Sequence, residues 1–142
     1  MSNWSDRALL ALLFALAAAP AHAQVRGLSG QWAFRSENAA IGCTITGQAT
    51  LRPARGSGRY GVRMIATETC DGRITSRVEE TCAAVRTRTH VSVRCRLDRA
   101  PANYQPDDFE LEIVGDERMQ GLLTANWNAP AEWRRLNAAN VS

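Results

Sequence analysis

Apolar and polar residues alternate with a period of two along most of the chain after residue 28. In positions 43–51 the odd residues are Cys, Ile, Gly, Ala and Leu, while the even residues are Thr or Gln. Such alternation is typical of a strand that buries one face and exposes the other. The same pattern recurs in five further segments, whose predicted inward residues begin at Tyr60, Ile74, Val91, Phe109 and Met119.

About eight short strands follow from this pattern, once a first strand around Trp32 and Phe34 and a last strand at residues 131–136 are added. Turn residues separate the strands at the spacing of a sandwich or a barrel. No segment after Ala23 has a convincing helical period. The predicted fold class is therefore all-β, an antiparallel up-and-down barrel of eight strands.

The start of the chain has a different composition. Arg7 gives a basic beginning, residues 8–19 are an unbroken apolar run, and an A-x-A cleavage motif ends at Ala23. This is the pattern of a secretory signal peptide. The run is shorter than the ~18 residues that an uncleaved anchor needs, so we predict no stable membrane insertion. We expect a signal peptide at residues 1–23, one barrel domain at residues 24–142, and a periplasmic or secreted product.

The even number of cysteines in an exported chain indicates two disulfides. If Cys43 faces Cys70, the centre of that hairpin falls in the Gly-Ser-Gly turn. If Cys82 faces Cys95, the centre falls in the polar run RTRTH. Residues directly opposite each other share a face and lie close enough to bridge. This arithmetic favours 43–70 and 82–95 and leaves the other two connectivities open; a zinc site is disfavoured because no C-x-x-C pair is present.

Composition argues against several classes of function. The net charge is +3, every basic side chain is Arg, and these are scattered between Asp and Glu rather than arranged in a stripe, which disfavours a nucleic-acid partner. The predicted mature part has one His, His90, expected to be a solvated residue at a hairpin tip. A metal site and a Ser/His/Asp triad are therefore not expected. No Gly-rich phosphate loop follows a strand, and we predict no cofactor and no enzymatic activity.

Two acidic residues, Glu68 and Glu80, lie at positions of inward parity among apolar neighbours. If they were buried together, they could share a proton and act as acid and base. The favoured alternative is that both lie near a wet barrel mouth or that a bulge turns them outward. Glu80 could also pair with Arg63 or Arg77.

The segment LSGQWAF, at residues 28–34, has two aromatic residues at the first predicted strand. Trp32 and Phe34 are two residues apart and point to the same side, so their rings can close one end of a barrel. Gly30 allows the chain to bend in close. Arg134 or Arg135, at the close of the last strand, is placed to stack over the Trp32 ring.

This combination of G-x-W in the first strand and Arg in the last resembles the calycin superfamily, which includes lipocalins and avidins. LSGQW followed by a strand with Cys43 and Ile45 resembles the bacterial metalloprotease inhibitors over about residues 28–51. The resemblance implies a lipocalin-like barrel that binds a small apolar ligand, or a periplasmic inhibitor of a protease. Two features differ from the inhibitors: only residues 24–27 precede the barrel, and the chain has a second pair of cysteines.

The predicted function is that of an exported, non-enzymatic binding protein. Its partner is a small apolar ligand or, alternatively, a secreted or periplasmic protein, with a small enzyme that uses paired Glu residues as the least favoured alternative. A filled interior is favoured over an open pocket for so short a chain. The longest connection, DRAPANYQPDD, is either a contact surface or a plain crossing over the barrel end. The candidate ligand contacts are Trp32, Phe34, Met64, Glu68, Glu80 and Tyr104.

Overall fold

The computed structural model of the protein describes residues 26–125 and 128–137. The predicted signal peptide and its cleavage site lie outside these residues. Among the described residues, no helix is long and apolar enough to cross a membrane.

Eight antiparallel strands follow one another around a closed barrel, and the last pairs with the first. This confirms the predicted fold class. The last strand covers most of the predicted segment and begins two residues earlier. The strands are β1 Gly30–Asn38, β2 Cys43–Pro53, β3 Arg59–Cys70, β4 Arg73–Thr87, β5 His90–Arg99, β6 Phe109–Gly115, β7 Arg118–Leu123 and β8 Ala129–Arg135.

The two disulfides join directly opposite residues of neighbouring strands. Cys43 is bonded to Cys70 across β2 and β3, and Cys82 is bonded to Cys95 across β4 and β5. The favoured connectivity is therefore confirmed. The predicted centre of the first hairpin is also confirmed, because the turn between β2 and β3 contains the Gly-Ser-Gly sequence.

The barrel has two distinct ends. The closed end carries the start of β1 and the turns β2–β3, β4–β5 and β6–β7. Here Trp32 is 1% exposed, its indole N–H donates to the Leu28 carbonyl at 2.9 Å, and the Arg135 guanidinium carbon lies 4.4 Å from its ring centroid. The predicted cation–π contact is thus made by Arg135, while Arg134 is exposed and pairs with Glu132. The opposite end, here called the mouth, carries the other four connections.

Aromatic side chains fill the middle of the barrel. The rings of Phe34, Phe109 and Trp133 contact one another with centroids 5.1 to 5.4 Å apart. Gly47 is required here, because a Cβ at this position would lie 2.3 Å from the Phe34 ring. Phe34 therefore lies in the middle of the barrel rather than at its closed end, where it was expected. Gly47, a small inward residue, makes room for the Phe34 ring.

The strand register is irregular at three points, and one of them reverses the face of a segment. The pairing of β3 with β4 shifts between Glu68 and Thr69, where Thr75 is the extra residue on β4. Ile74 was predicted to point inward, which is wrong: it is 54% exposed, because the extra residue reverses the side of the strand at that point. A second shift, between Glu79 and Glu80, lies in the pairing of β4 with β5.

Candidate functional site

The mouth is covered by the connection between β5 and β6, residues 100–108. Only the first four residues of β5, His90–Val93, pair with β6, so the rest of β5 extends past the start of that strand. The connection packs beside this extension. Asp108 fastens it at two points, since its side chain accepts from the Cys95 N–H at 2.7 Å and its carbonyl accepts from the Thr124 N–H at 2.8 Å.

Two buried carboxyl groups meet beneath this connection. Glu80, on β4, is 1% exposed, and Asp107 is fully buried. The Asp107 N–H donates to Glu80 Oε1 at 2.9 Å, and the Tyr104 hydroxyl donates to Asp107 Oδ2 at 3.0 Å. These three residues form what we call the acid cluster.

Burial dominates the electrostatics of the acid cluster. Loss of solvent, followed by the negative charge of Asp107, raises the pKa of Glu80 to about 8. Burial likewise raises the pKa of Asp107 to about 6, although the hydrogen bond from Tyr104 opposes the rise. Both shifts favour the protonated forms, so the pair holds less negative charge at neutral pH than two exposed carboxylates would.

Beside the acid cluster, the mouth has an open depression of about 400 Å³. Glu68 lies in it, half-buried, and its Oε1 accepts hydrogen bonds from Thr75 at 2.6 Å and from Ser76 at 3.5 Å. The rest of the lining mixes apolar and polar residues: Ile41, Ser76, Pro101, Ala102, Asn103 and Tyr104.

The structure divides the candidate ligand contacts into two groups. Glu68, Glu80 and Tyr104 come together at the mouth. Trp32, Phe34 and Met64 instead belong to the packed interior, where they are 1%, 3% and 1% exposed. Whether any of the six contacts a ligand stays a prediction.

The two glutamates do not face each other. Glu68 is opposite Ser76, whereas Glu80 is opposite Met64, and the nearest carboxyl to Glu80 is that of Asp107. The alternative that Glu80 pairs with Arg63 is also wrong, because Arg63 contacts Thr81 and Asp98.

Nor does Arg77 pair with Glu80. It is exposed and takes part in none of the ion pairs formed within the described residues. Glu80 points inward despite the bulge beside it. Glu68 lies at the mouth of the barrel, as the favoured alternative predicted.

Asp107 was missed by the sequence reasoning because it belongs to a connection rather than a strand. A signal was present: the inward parity of Phe109, extended backward by two residues, reaches Asp107. His90 lies beside the hairpin tip with its side chain 46% exposed, which agrees with the expected solvated position. Its ring nitrogens lie 3.0 Å from Glu112 and 2.7 Å from Glu110, hydrogen bonds that raise its pKa.

Three buried polar atoms in the described part of the chain have no hydrogen-bond partner: Ser36 Oγ, Glu80 Oε2 and Trp133 Nε1. All three residues belong to the barrel interior. Ser36 lies two residues beyond Phe34 toward the mouth, so it is on the same side of the aromatic layer as the acid cluster. Unpartnered buried polar groups are uncommon and call for a physical explanation.

No family model matches the chain, and no curated protein matches it in sequence. Two solved structures share its fold. One is described as the de novo design of a fluorescence-activating beta barrel; it is 17% identical, with a TM-score of 0.59, over 79% of this chain and 96% of that chain. The other is a redesigned beta barrel, 18% identical, with a TM-score of 0.61, over 78% of this chain and 92% of that chain. At such identities the likeness shows the barrel fold alone.

Proposed function

We propose that this chain is an exported, non-enzymatic binding protein that takes a small ligand with an apolar body at the mouth. The observation that carries the proposal is the open depression lined by Ile41, Pro101, Ala102 and the Tyr104 ring, with the Glu68 carboxylate at its side. Sites of this kind combine apolar walls with a few placed polar groups. The likeness to a barrel described as fluorescence-activating is compatible with this function.

The packing of the interior directs the ligand to the mouth rather than to the barrel centre. Phe34, Phe109 and Trp133 occupy the centre and touch one another. A ligand there would have to displace well-packed aromatic rings, which is costly. The mouth depression needs no such rearrangement.

The position of the acid cluster supports a binding role over catalysis. Glu80 and Asp107 have the raised pKa values that acid–base chemistry uses. Both carboxyls, however, are 1% exposed or less and lie behind Tyr104, whereas a general acid or base must reach its substrate within hydrogen-bond distance. Two disulfides and the leader pattern support export.

A titration of the protein, residues 24–142, with the neutral dye Nile red tests this function. We expect saturable binding with one site, and loss of most of it in Ala102→Trp, which fills the depression. Ala83→Trp is the matched control, because Ala83 is exposed on the outer wall of β4. Equal binding by both variants, or no binding by the wild type, would count against the proposal.

A barrel that binds another protein is the second candidate, and one observation favours it. A groove of about 670 Å³ runs along the outside of β1, β7 and β8, with Ala33, Gly121 and Pro130 among its lining and Arg35 and Arg134 at its edge. Assays against secreted metalloproteases examine the inhibitor version of this candidate. Inhibition that survives Ala102→Trp and is lost in Ala33→Trp would favour the outer groove over the mouth.

A further inference from the structure

We infer that the ligand of the mouth carries a positive charge, as an organic ammonium group attached to an apolar body. This inference rests on the proposed function and specifies the chemistry of the same site. It follows from the ion pairing of the carboxylates around the barrel and from the groups that line the depression.

The carboxylates of the mouth differ from those of the outer wall. On the wall, acidic residues are paired with arginine, as in Arg94 with Glu110 and Arg99 with Glu79. None of the ion pairs formed within residues 26–125 and 128–137 includes Glu68 or an acid-cluster residue. In a chain of net charge +3, the mouth thus holds carboxyl groups without a paired arginine.

The arginines of neighbouring positions form no ion pair with these carboxylates within the described residues. Arg73 and Arg77, on the mouth half of β4, are exposed to solvent. Burial and the charges of Asp107, Glu68 and Glu80 together raise the pKa of the Tyr104 hydroxyl, which agrees with a negative potential at the mouth. A cation entering the depression would meet this potential directly.

The depression offers three kinds of contact that suit an organic cation. Thr75 and Ser76 hydrogen-bond Glu68 Oε1, whereas Oε2 receives no hydrogen bond from the described residues. The Tyr104 ring lines the same depression, and aromatic faces attract ammonium groups. Ile41 and Pro101 provide apolar surface for the remainder of the molecule.

Two polar atoms of the interior on this side of the aromatic layer lack a hydrogen-bond partner within the described residues. Glu80 Oε2 is buried, and no donor within the described residues reaches it. Ser36 Oγ, which is not part of any acidic cluster, is 1% exposed and likewise lacks a partner on the same side of the aromatic layer. Neither residue lines the depression, so the charge of the ligand is inferred from Glu68 and the Tyr104 ring.

Three probes with the same apolar body and different head groups test the inference: 3-phenylpropylamine, 3-phenylpropanol and 3-phenylpropionate. Their binding to the wild type is measured by calorimetry at pH 7, where the amine is protonated. We expect the amine to bind about tenfold more tightly than the alcohol, because it gains the carboxylate and the ring face. We expect the carboxylate probe to bind more weakly than the alcohol.

Glu68→Gln is the decisive variant, since it removes the charge and keeps an acceptor for Thr75. We expect it to reduce the preference for the amine to less than about threefold while the affinity for the alcohol changes little. Glu117→Gln, at the closed end, removes the same charge from the whole molecule and should keep the preference.

The outcomes separate the two proposals. Equal binding of amine and alcohol by the wild type, or an amine preference that survives Glu68→Gln, overturns the inferred cation and leaves the binding function standing. Failure of all three probes, together with failure of Nile red, overturns both.

Discussion

Arg135 is a buried charge that is compensated by backbone rather than by a carboxylate. Its guanidinium donates to the carbonyls of Ser29 at 2.6 Å, Gly27 at 2.8 Å and Asp116 at 3.1 Å while it covers the Trp32 ring. One side chain thereby joins the entry of β1, the turn between β6 and β7, and the end of β8. The closed end of the barrel depends on this joint.

Replacing Arg135 by Ala should lower the free energy of unfolding by about 2–3 kcal/mol, since charged hydrogen bonds and the cation–π contact are lost together. Arg134→Ala is the control. Its side chain is exposed and pairs only with Glu132, so we expect a loss within about 0.5 kcal/mol. Urea denaturation measures both values, and equal losses would contradict this account of the closed end.

Glu80 makes stability depend on pH in an unusual direction. Its pKa rises from 4.5 to about 8 on folding, so the folded state binds its proton more tightly than the unfolded state. The contribution of the protonated form is complete below about pH 4.5 and is lost as the pH rises through 8. Asp107, with a pKa raised from 3.8 to about 6, acts in the same direction over a lower range.

We therefore expect Glu80→Gln to be more stable than the wild type at pH 8, by on the order of 3 kcal/mol, and close to it at pH 5. Glutamine keeps the acceptor for the Asp107 N–H and removes the ionisation. Unfolding free energies measured from pH 4 to pH 9 test this expectation. A wild-type slope that persists unchanged in the variant would contradict it.

At the scale of elements, the disulfides fix two adjacent hairpins. Removing either bridge, by changing Cys43 and Cys70 or Cys82 and Cys95 to Ala, should cost about 2–4 kcal/mol, because the unfolded chain regains the entropy of an open loop. Thermal and urea unfolding of the two double variants measures the losses. Peptide mapping of the unreduced wild type should find only 43–70 and 82–95; any Cys70–Cys82 peptide would contradict the register.

Sequence parity predicted most strand faces because each side of a regular strand has one environment along its length. It assigned Val62, Met64 and Val91 to the interior, and each is buried. It failed at Ile74, because a bulge adds one residue without a local sequence signature. Parity thus predicts the core and cannot locate the irregularities that aim particular side chains.

The candidate site was predicted less completely for a related reason. Glu80 and Tyr104 were selected as an out-of-place acid and as an amphipathic ring in a long connection. Their meeting depends on Asp107, which the folding of residues 100–108 over the mouth brings to Glu80. Contacts made by a connection have no period, so their partners become visible only in the folded chain.

At the scale of the whole molecule, the aromatic packing and the proposed binding site lie in different parts of the barrel. The closed end and the aromatic centre hold the strands together through Trp32, Phe34 and Trp133. The mouth instead carries the acid cluster and the open depression. Substitutions in the first group should change folding, whereas those in the depression should change binding.

The closed topology of the barrel also predicts an order in which the strands associate during folding. Seven of the strand pairs are hairpins between consecutive strands, but the pairing of β1 with β8 joins Trp32 to Arg135 across nearly the whole domain. Bringing distant segments together costs more loop-closure entropy than forming a hairpin. The oxidised disulfides lower that cost further for the hairpins β2–β3 and β4–β5. We therefore expect the strands β2 to β5 to associate first and the seam between β1 and β8 to close last.

Folding kinetics of the oxidised protein test this order through two core substitutions. Val62 lies on β3, opposite Leu51 of β2 and Cys82 of β4. Trp133 lies on β8 and stacks on Phe34 across the seam. We expect a φ-value above about 0.5 for Val62→Ala, because its contacts exist in the transition state, and below about 0.3 for Trp133→Phe. The second variant should therefore act mainly by accelerating unfolding. The reverse ranking would mean that the barrel closes before its hairpins pair, and that the seam nucleates the fold.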